Sequence, residues 1–349
     1  MRINVLLNIG RKPSGASRPI IEFCNALAKS NDILIYKPFN PNKKGLGYIL
    51  REAAGFILKG KRFFPKWIGC DCPVVIIPSC REKFVRDADI TFFRSAHLAQ
   101  EVSAWSKSKG LKVMRVSNVH MLNNPVRIPE NIVLIASSTM VYEKLKIIYP
   151  RHKIFKVGNG VNCGFFSYTE RNRERPMSIG MVYYRGKNSQ HKGMEIGFEV
   201  MRRIKEKFPD MRFFVAGLKK EKQIPGFVEF ISGLRSHDML NFYNKVDILI
   251  YPSLEDAWPN PPMEAMACGC GVVTTEVGGI GEFVINGETA IVCKPGDIDE
   301  MTGAVELLIK NPEIWKKLIN NGKEMIKQFD YPKQAEILER TFNEILSTA

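Results

Sequence analysis

Short apolar runs rich in β-branched residues alternate with longer amphipathic stretches along the whole chain. In the first half, Ile3–Leu7, Ile33–Tyr36, Val74–Pro78, Ile90–Phe93, Lys112–Val116 and Ile132–Ala136 predict strands. Between them, Ala16–Lys29, His97–Lys107 and Thr139–Ile148 predict helices. The second half restarts with a strand at Met177–Val182. A helix follows from about Lys192, in which Met194, Phe198, Met201 and Ile204 recur at spacings of four, three and three, the repeat of one helical face. Further strands are predicted at Arg212–Ala216, Val246–Tyr251, Gly271–Thr275 and Ala290–Val292. Alternation of this kind implies parallel sheets with crossover helices. The strands are apolar almost without interruption, so both faces of each sheet are expected to be covered.

A polar stretch, Ser167–Pro176, separates the two series and reads as a linker. The 349 residues suit two domains or one large α/β barrel, at roughly 100 to 200 residues per domain. A barrel needs one unbroken series of units, and the polar stretch argues against it. The expected fold class is therefore α/β, with Rossmann-like doubly wound domains over residues 1–165 and 166–330. In such folds ligands sit at the carboxyl ends of the strands, here in a cleft between the two sheets. No repeat short enough for a solenoid is present.

Composition narrows the class. Hydrophobic residues make up 45% and charged residues 25% of the chain, enough for a sizeable core. No apolar run approaches the ~18 residues of a membrane span, and Met1-Arg2 leads directly into a strand rather than a secretory signal. Cytoplasmic placement follows as the expectation. The eight cysteines are scattered and several lie in apolar runs, which fits reduced core thiols better than disulfides. Cys70, Cys72 and Cys80 with Asp71 lack the paired C-x-x-C spacing of a zinc site, so no metal is expected there.

Net charge is +15, and it is unevenly spread. Residues 1–165 carry 27 Lys and Arg against 10 Asp and Glu, while 166–349 carry 24 against 26. Lys43, Lys44, Arg51, Lys59, Lys61, Arg62 and Lys66 alternate with aromatic and aliphatic residues and a single acid, Glu52. The pattern suits an anionic membrane surface, at about 1 kcal/mol per basic residue near the headgroups. It also suits a nucleic-acid backbone or a plain solvated face.

Two loops carry candidate chemistry. Gly10–Ser17 half resembles a phosphate-binding loop, but no lysine follows Gly15, and the three-glycine dinucleotide fingerprint is absent. What is left is a strand-to-helix turn whose free N–H groups suit an anion. The stretch Tyr251–Thr274 tells more: a buried strand, a loop with acids at 255 and 256, prolines suited to a first helical turn, Glu264, a glycine stop and another buried strand. It brings Asp256 and Glu264 to the carboxyl edge of a sheet, with Glu264 expected in the first turn beside exposed helix N–H groups. Those donors suit a diphosphate, and the carboxylates suit sugar hydroxyls.

This stretch resembles the E-x7-E region of retaining glycosyltransferases of the GT-B fold, in particular glycosyltransferase family 4. The likeness extends over the chain. Lys153–Asn162 (KIFKVGNGVN) resembles the family's segment at the end of its first domain, Gly180–Gly193 (GMVYYRGKNSQHKG) the start of its second, and Gly278–Glu282 its GG-x-x-E. The resemblance implies two facing domains and a final helix, about Pro332–Leu346 within 331–349, that returns to the first. It also implies transfer of a sugar, with retention and without a metal or other cofactor, from a nucleotide-diphosphate sugar (UDP or GDP) to an acceptor. A glycan or lipid-linked acceptor fits a basic domain leaning on an anionic membrane.

Carried onto this sequence, the resemblance implies the following roles. Asp256 binds donor-sugar hydroxyls, or Glu255 does if the loop shifts, since the family's usual first acid is the longer glutamate. The backbone at Ala257, Trp258 and Asn260 lies near the sugar or phosphates, and Glu264 holds the ribose. Lys192 neutralises the diphosphate with Arg185, or Lys187, as its companion. Gly15 and Ala16 approach the leaving group. His120 matches the active-site histidine, with His97 its competitor. As the diphosphate departs, charge grows on its β-phosphate, so cations there stabilise the transition state more than the ground state. Asp87-Ala-Asp89 and Asp297-Ile-Asp299 have metal-pair spacing, but one enters a strand and the other reads as a helix cap. A nucleotide-sugar epimerase of the same fold is the nearest rival, and a nucleic-acid-binding module, unsupported by any stacked-aromatic motif, comes last.

Overall fold

The computed structural model describes residues 1–8, 17–38, 68–167, 174–184 and 186–348. The chain divides into two compact units, Met1–Gly158 with Pro332–Ala349, and Asn159–Tyr331. In the first unit the described strands are β1 (Arg2–Leu6), β2 (Asp32–Pro38), β3 (Val74–Ile77), β4 (Ile90–Phe93), β5 (Leu111–Val116), β6 (Ile132–Ala136) and β7 (Ile154–Lys156). They form one sheet in the order β3-β2-β1-β4-β5-β6-β7, parallel throughout. The second unit holds β8 (Ser178–Val182), β9 (Arg212–Gly217), β10 (Val228–Ser232), β11 (Ile248–Tyr251), β12 (Gly271–Thr275) and β13 (Ile291–Cys293). These run parallel in the order β10-β9-β8-β11-β12-β13. Each sheet starts in its middle, grows outward, then reverses. The reversals lie between β1 and β4 and between β8 and β11, where doubly wound sheets bind ligands.

The pleat of the second sheet feeds two cores. Ile179 and Met181 of β8 and Ile248 and Ile250 of β11 point to one face, with Phe198, Met201, Val305 and Leu308. Val182 and Leu249 point to the other, with Phe242, Met263, Met266 and Phe283. This is the two-residue alternation of a strand buried on both sides. The helix Met194–Lys207 buries Met194, Phe198, Met201 and Ile204, the residues spaced four, three and three. Each such side chain contributes about 1.5–3 kcal/mol by leaving water. The helices Ser236–Tyr243, Ile298–Lys310 and Pro312–Ile326 complete the covering layers.

The last helix, Tyr331–Ser347, belongs through most of its length to the first unit. Phe342 is fully buried edge-on against Phe92 of β4, with ring centroids 5.5 Å apart. Glu339 accepts hydrogen bonds from Ser30 Oγ (3.1 Å) and Asn31 Nδ2 (2.7 Å). The expected helix His97–Lys107 is broken into a 3-10 turn Ala96–Leu98, a helix Ala99–Ser103 and a second 3-10 turn Lys107–Lys109. Within it Ser103 Oγ bonds the Gln100 carbonyl, a local partner for the backbone that competes with the helical ladder. Among the described residues, no helix is long and apolar enough to cross a membrane.

Candidate functional site

The second unit builds its site at the carboxyl end of β11. The strand ends at Tyr251, whose buried hydroxyl donates to Asp256 Oδ2. Burial, followed by the negative charge of Asp256, pushes the Tyr251 phenol well above the usual tyrosine range, so it stays a donor. Asp256 Oδ1 accepts the Trp258 N–H at 3.2 Å, the two-residue bond of an Asx turn, and Oδ2 pairs with Lys192 Nζ at 2.6 Å. Lys192 also donates to the Glu255 carbonyl at 3.0 Å, and its ammonium lies 5.9 and 6.0 Å from the Tyr184 and Tyr251 ring centres. The lysine and aspartate side chains are 18% and 17% exposed, so this ion pair is screened less than a surface one. Glu255 takes another direction: its carboxylate lies 3.4 Å from His191 Nδ1.

Two glycines make this geometry reachable. Gly193 follows Lys192 with φ +61°, and a Cβ there would lie 1.9 Å from the Pro252 carbonyl oxygen. Gly278 has φ +57°, and a Cβ there would lie 2.3 Å from the carbonyl oxygen of Asp256. Only glycine adopts that backbone region freely and allows such approaches. Lys192 is thereby drawn against the β11 loop, and the 278–282 segment against the Asp256 turn.

The helix after the loop spans Asn260–Ala267. Glu264 is its fifth residue, in the second turn rather than the expected first. Pro259 at the cap and Pro261 and Pro262 in the first turn carry no N–H, so three of the four donors a helix start normally offers are missing. Glu264 is only 5% exposed and accepts the Tyr243 hydroxyl at 2.8 Å. The Trp258 N–H is engaged by Asp256, and its indole is buried, donating to Met263 Sδ at 2.9 Å and packing beside Phe283. Ala257 is buried, while Asn260 Oδ1 accepts from Asn159 Nδ2 at 3.3 Å. Gly15, Ala16, Arg185 and the basic segment 43–66 lie outside the described residues, and Lys187 opens the short helix Lys187–His191.

The first unit has a cavity of about 400 Å³ at the carboxyl ends of β4 and β5, lined in part by Arg94, His97, Arg115, Asn118 and His120. His120 and its competitor His97 therefore share one cavity. His120 is exposed at the start of the helix Val119–Asn123, where Asn118 Oδ1 accepts its N–H at 2.9 Å. Arg115 is buried, donates to the Gly158 carbonyl at 3.1 Å and lies over the Phe23 ring. The motif reading missed both arginines; the available signal was a charge inside or just after an otherwise apolar strand.

Both aspartate pairs are structural. Asp87 bonds Ser108 and Lys109, Asp89 accepts the Arg2 N–H, Asp297 caps the helix Ile298–Lys310, and Asp299 pairs with Arg203. All eight cysteines are free thiols. Among the described residues no three His, Cys, Asp or Glu side chains converge as a metal site.

Comparison with known proteins adds a likeness over the second unit. Residues 170–325 match the family described as glycosyl transferases group 1. An uncharacterized glycosyltransferase of Methanocaldococcus jannaschii is 27% identical over 204 residues, 56% of this chain and 55% of that one. The capsular polysaccharide biosynthesis glycosyltransferase CapM of Staphylococcus aureus is 29% identical over 31% of this chain and 29% of its own. The chain spans about half, or less, of the length of the curated relatives it matches. In fold it is similar to Anabaena HepE, solved in complex with UDP-glucose, with a TM-score of 0.72 at 15% identity over the whole of both chains. Residues 170–325 are thus similar to the glycosyl transferases group 1 family, and the two parallel sheets share the GT-B fold of the solved structures.

Proposed function

We propose that this protein transfers a sugar, with retention and without a metal, from a nucleotide-diphosphate sugar to an acceptor. The observation that carries the reading is the Lys192–Asp256–Tyr251 cluster at the carboxyl end of β11, beside the reversal of the sheet. It sets one cation and one carboxylate where a diphosphate and sugar hydroxyls find complementary partners. In the donor complex Lys192, with Arg185 as companion, turns to the β-phosphate and stabilises the charge that grows as the bond to the sugar breaks. Asp256, released from the lysine, accepts sugar hydroxyls, and Glu264, held by Tyr243, accepts from the ribose. In the first unit His120 lies beside the acceptor. The acceptor attacks from the face the diphosphate leaves, and the departing phosphate takes its proton.

UDP is the first choice of donor nucleotide, supported by the UDP-glucose complex of HepE. A cell-envelope glycan acceptor is supported by the likeness to CapM. Cytoplasmic placement, and contact of the 43–66 segment with an anionic membrane, belong to the same proposal. A thermal-shift panel of UDP-, GDP- and ADP-sugars with EDTA present, on native protein and Glu264→Ala, tests it. One nucleotide class stabilises the native protein and fails to stabilise the variant. If no donor stabilises the native protein, or the variant responds equally, the assignment of the nucleotide site is wrong.

A further inference from the structure

The cavity of the first unit has a chemistry that sugar transfer alone does not require. Among its described lining residues are two arginines and two histidines, and none is acidic. Arg94 follows β4 at the sheet's reversal point, is half-buried, and among the described residues has no acidic partner. Among the described residues its guanidinium meets Ser17 Oγ at 3.5 Å, the far limit of a hydrogen bond. Burial lowers its affinity for the proton, though a guanidinium stays charged. A partly desolvated cation without a counter-charge is costly unless a ligand supplies one. Arg115, from the neighbouring strand β5, is fixed by its bond to the Gly158 carbonyl and by the Phe23 ring. It is a rigid second guanidinium rather than a mobile surface charge.

Resting on the proposed transfer reaction, we propose that this cavity binds a phosphate group carried by the sugar acceptor. Two guanidiniums from adjacent strands match the charge of about −1.5 to −2 on a phosphomonoester, and Arg94 can bind it through two N–H groups. A cavity of about 400 Å³ is the size for a phosphorylated sugar unit. Asn118 and Asn124, also on its wall, supply amide groups suited to sugar hydroxyls. An acceptor anchored by phosphate at Arg94 and Arg115 presents a hydroxyl within the cavity that also holds His120. The same phosphate chemistry exists in the donor's leaving group, so the test separates the two sources.

The full chain is titrated calorimetrically with inorganic phosphate, glucose 6-phosphate, glucose and UDP. The variants are Arg94→Gln, the charge-keeping Arg94→Lys, and Lys192→Ala. The phosphate-bearing probes bind the native chain and lose about ten-fold or more in affinity in Arg94→Gln, with partial recovery in Arg94→Lys. In Lys192→Ala they bind as in the native chain, and UDP affinity is unaltered in Arg94→Gln. Glucose shows no dependence on Arg94. Equal affinity of phosphate for native protein and Arg94→Gln overturns the proposal, as does loss confined to Lys192→Ala. Weakening of UDP in Arg94→Gln overturns the acceptor assignment in favour of the leaving group. Donor stabilisation that depends on Glu264 reads the other unit, so this inference can fail while the transfer reading stands.

Discussion

Replacing Asp256 with asparagine separates the two things its carboxylate does. In the free protein Asp256 Oδ2 compensates Lys192 at 2.6 Å, with both side chains less than a fifth exposed. Asparagine keeps the shape, and its carbonyl oxygen still accepts from the Trp258 N–H or the Tyr251 hydroxyl, so the change falls mainly on the ion pair. A pair at this depth lies between exposed pairs, worth about 0.2–1 kcal/mol, and buried ones, whose disruption costs about 3–5 kcal/mol. A value of about 1 kcal/mol, at the upper end of the exposed range, is the competition a diphosphate meets when it draws Lys192 away. Asp256→Asn removes that competition, so the nucleoside diphosphate that stabilises native protein binds about five-fold tighter, from the rule that 1.4 kcal/mol is ten-fold. The gain shrinks with added salt. The sugar nucleotide behaves oppositely, because it loses a charged acceptor for its hydroxyls, worth about 1.5–3 kcal/mol against a gain of about 1. Calorimetric titration of both ligands reads the two signs. Weaker binding of the bare diphosphate would show that Asp256 holds Lys192 in its binding position rather than neutralising it, and the reasoning would fail.

Three further outcomes follow from the geometry. Gly193→Ala forces a side chain into positive φ and against the Pro252 carbonyl, so it lowers the melting temperature by several degrees, more than the ~1 kcal/mol of a tolerated glycine change, and abolishes nucleotide stabilisation; a melt within one degree of native, with binding intact, refutes it. Cys80 is pushed up to about 11 by burial, Cys293 to about 12 by burial, and Cys72 to about 12 by its hydrogen bond with the Cys24 side chain. Their thiolate fraction at pH 7.5 is therefore about a thousandth or less, and mass spectrometry after iodoacetamide should find them unmodified in native protein but labelled in urea. Glu306 accepts from Lys207 (2.5 Å) and Lys310 (3.2 Å), and the Lys207 bond holds its carboxyl below the usual range. A folded pKa below the unfolded one stabilises above the unfolded value and fades as pH falls through the folded one. The melting-temperature advantage over Glu306→Gln is thus present at pH 7 and gone below the carboxylate range; an advantage that grows in acid contradicts the assignment.

What the sequence revealed depended on how completely a segment is buried. The strands Ile90–Phe93, Ile132–Ala136 and Gly271–Thr275 and the helix Thr139–Ile148 have the predicted bounds. The three strands lie inside their sheets, where both faces demand apolar residues and a charge marks the end. The strands Ile154–Lys156 and Val228–Ser232 went unpredicted, and both are at sheet edges. An edge strand is paired on one side only, so it tolerates Lys156 or Glu229 and leaves a broken apolar pattern. The helix expected over His97–Lys107 failed for a related reason. Its apolar spacing is sound, but Ser103 bonds the Gln100 carbonyl and Ser106 and Ser108 bond each other, local pairings that periodicity does not count.

The site was legible as residues and not as pairings. Asp256, Glu264 and Lys192 stand out because polar groups beside buried strands need a reason to be there, and the glycines at 193 and 278 mark where the chain must pass close to itself. The sequence does not show that the cation and carboxylate compensate one another, because their contact spans 64 positions and depends on two positive-φ turns. Tyr251 and Tyr243 escaped notice for the opposite reason: an aromatic in a buried strand or helix is the ordinary content of a core, and only the partner of its hydroxyl distinguishes it. The same holds for Arg94 and Arg115. A charge at the end of an apolar run reads as the strand stopping, and becomes chemistry only when the fold sets two such ends side by side. Parallel sheets do this systematically, since every strand delivers its carboxyl end to one edge, whatever the sequence distance between them. A doubly wound unit therefore concentrates functional side chains that look isolated along the chain. The residues worth testing first are the polar ones that interrupt its strands at that edge.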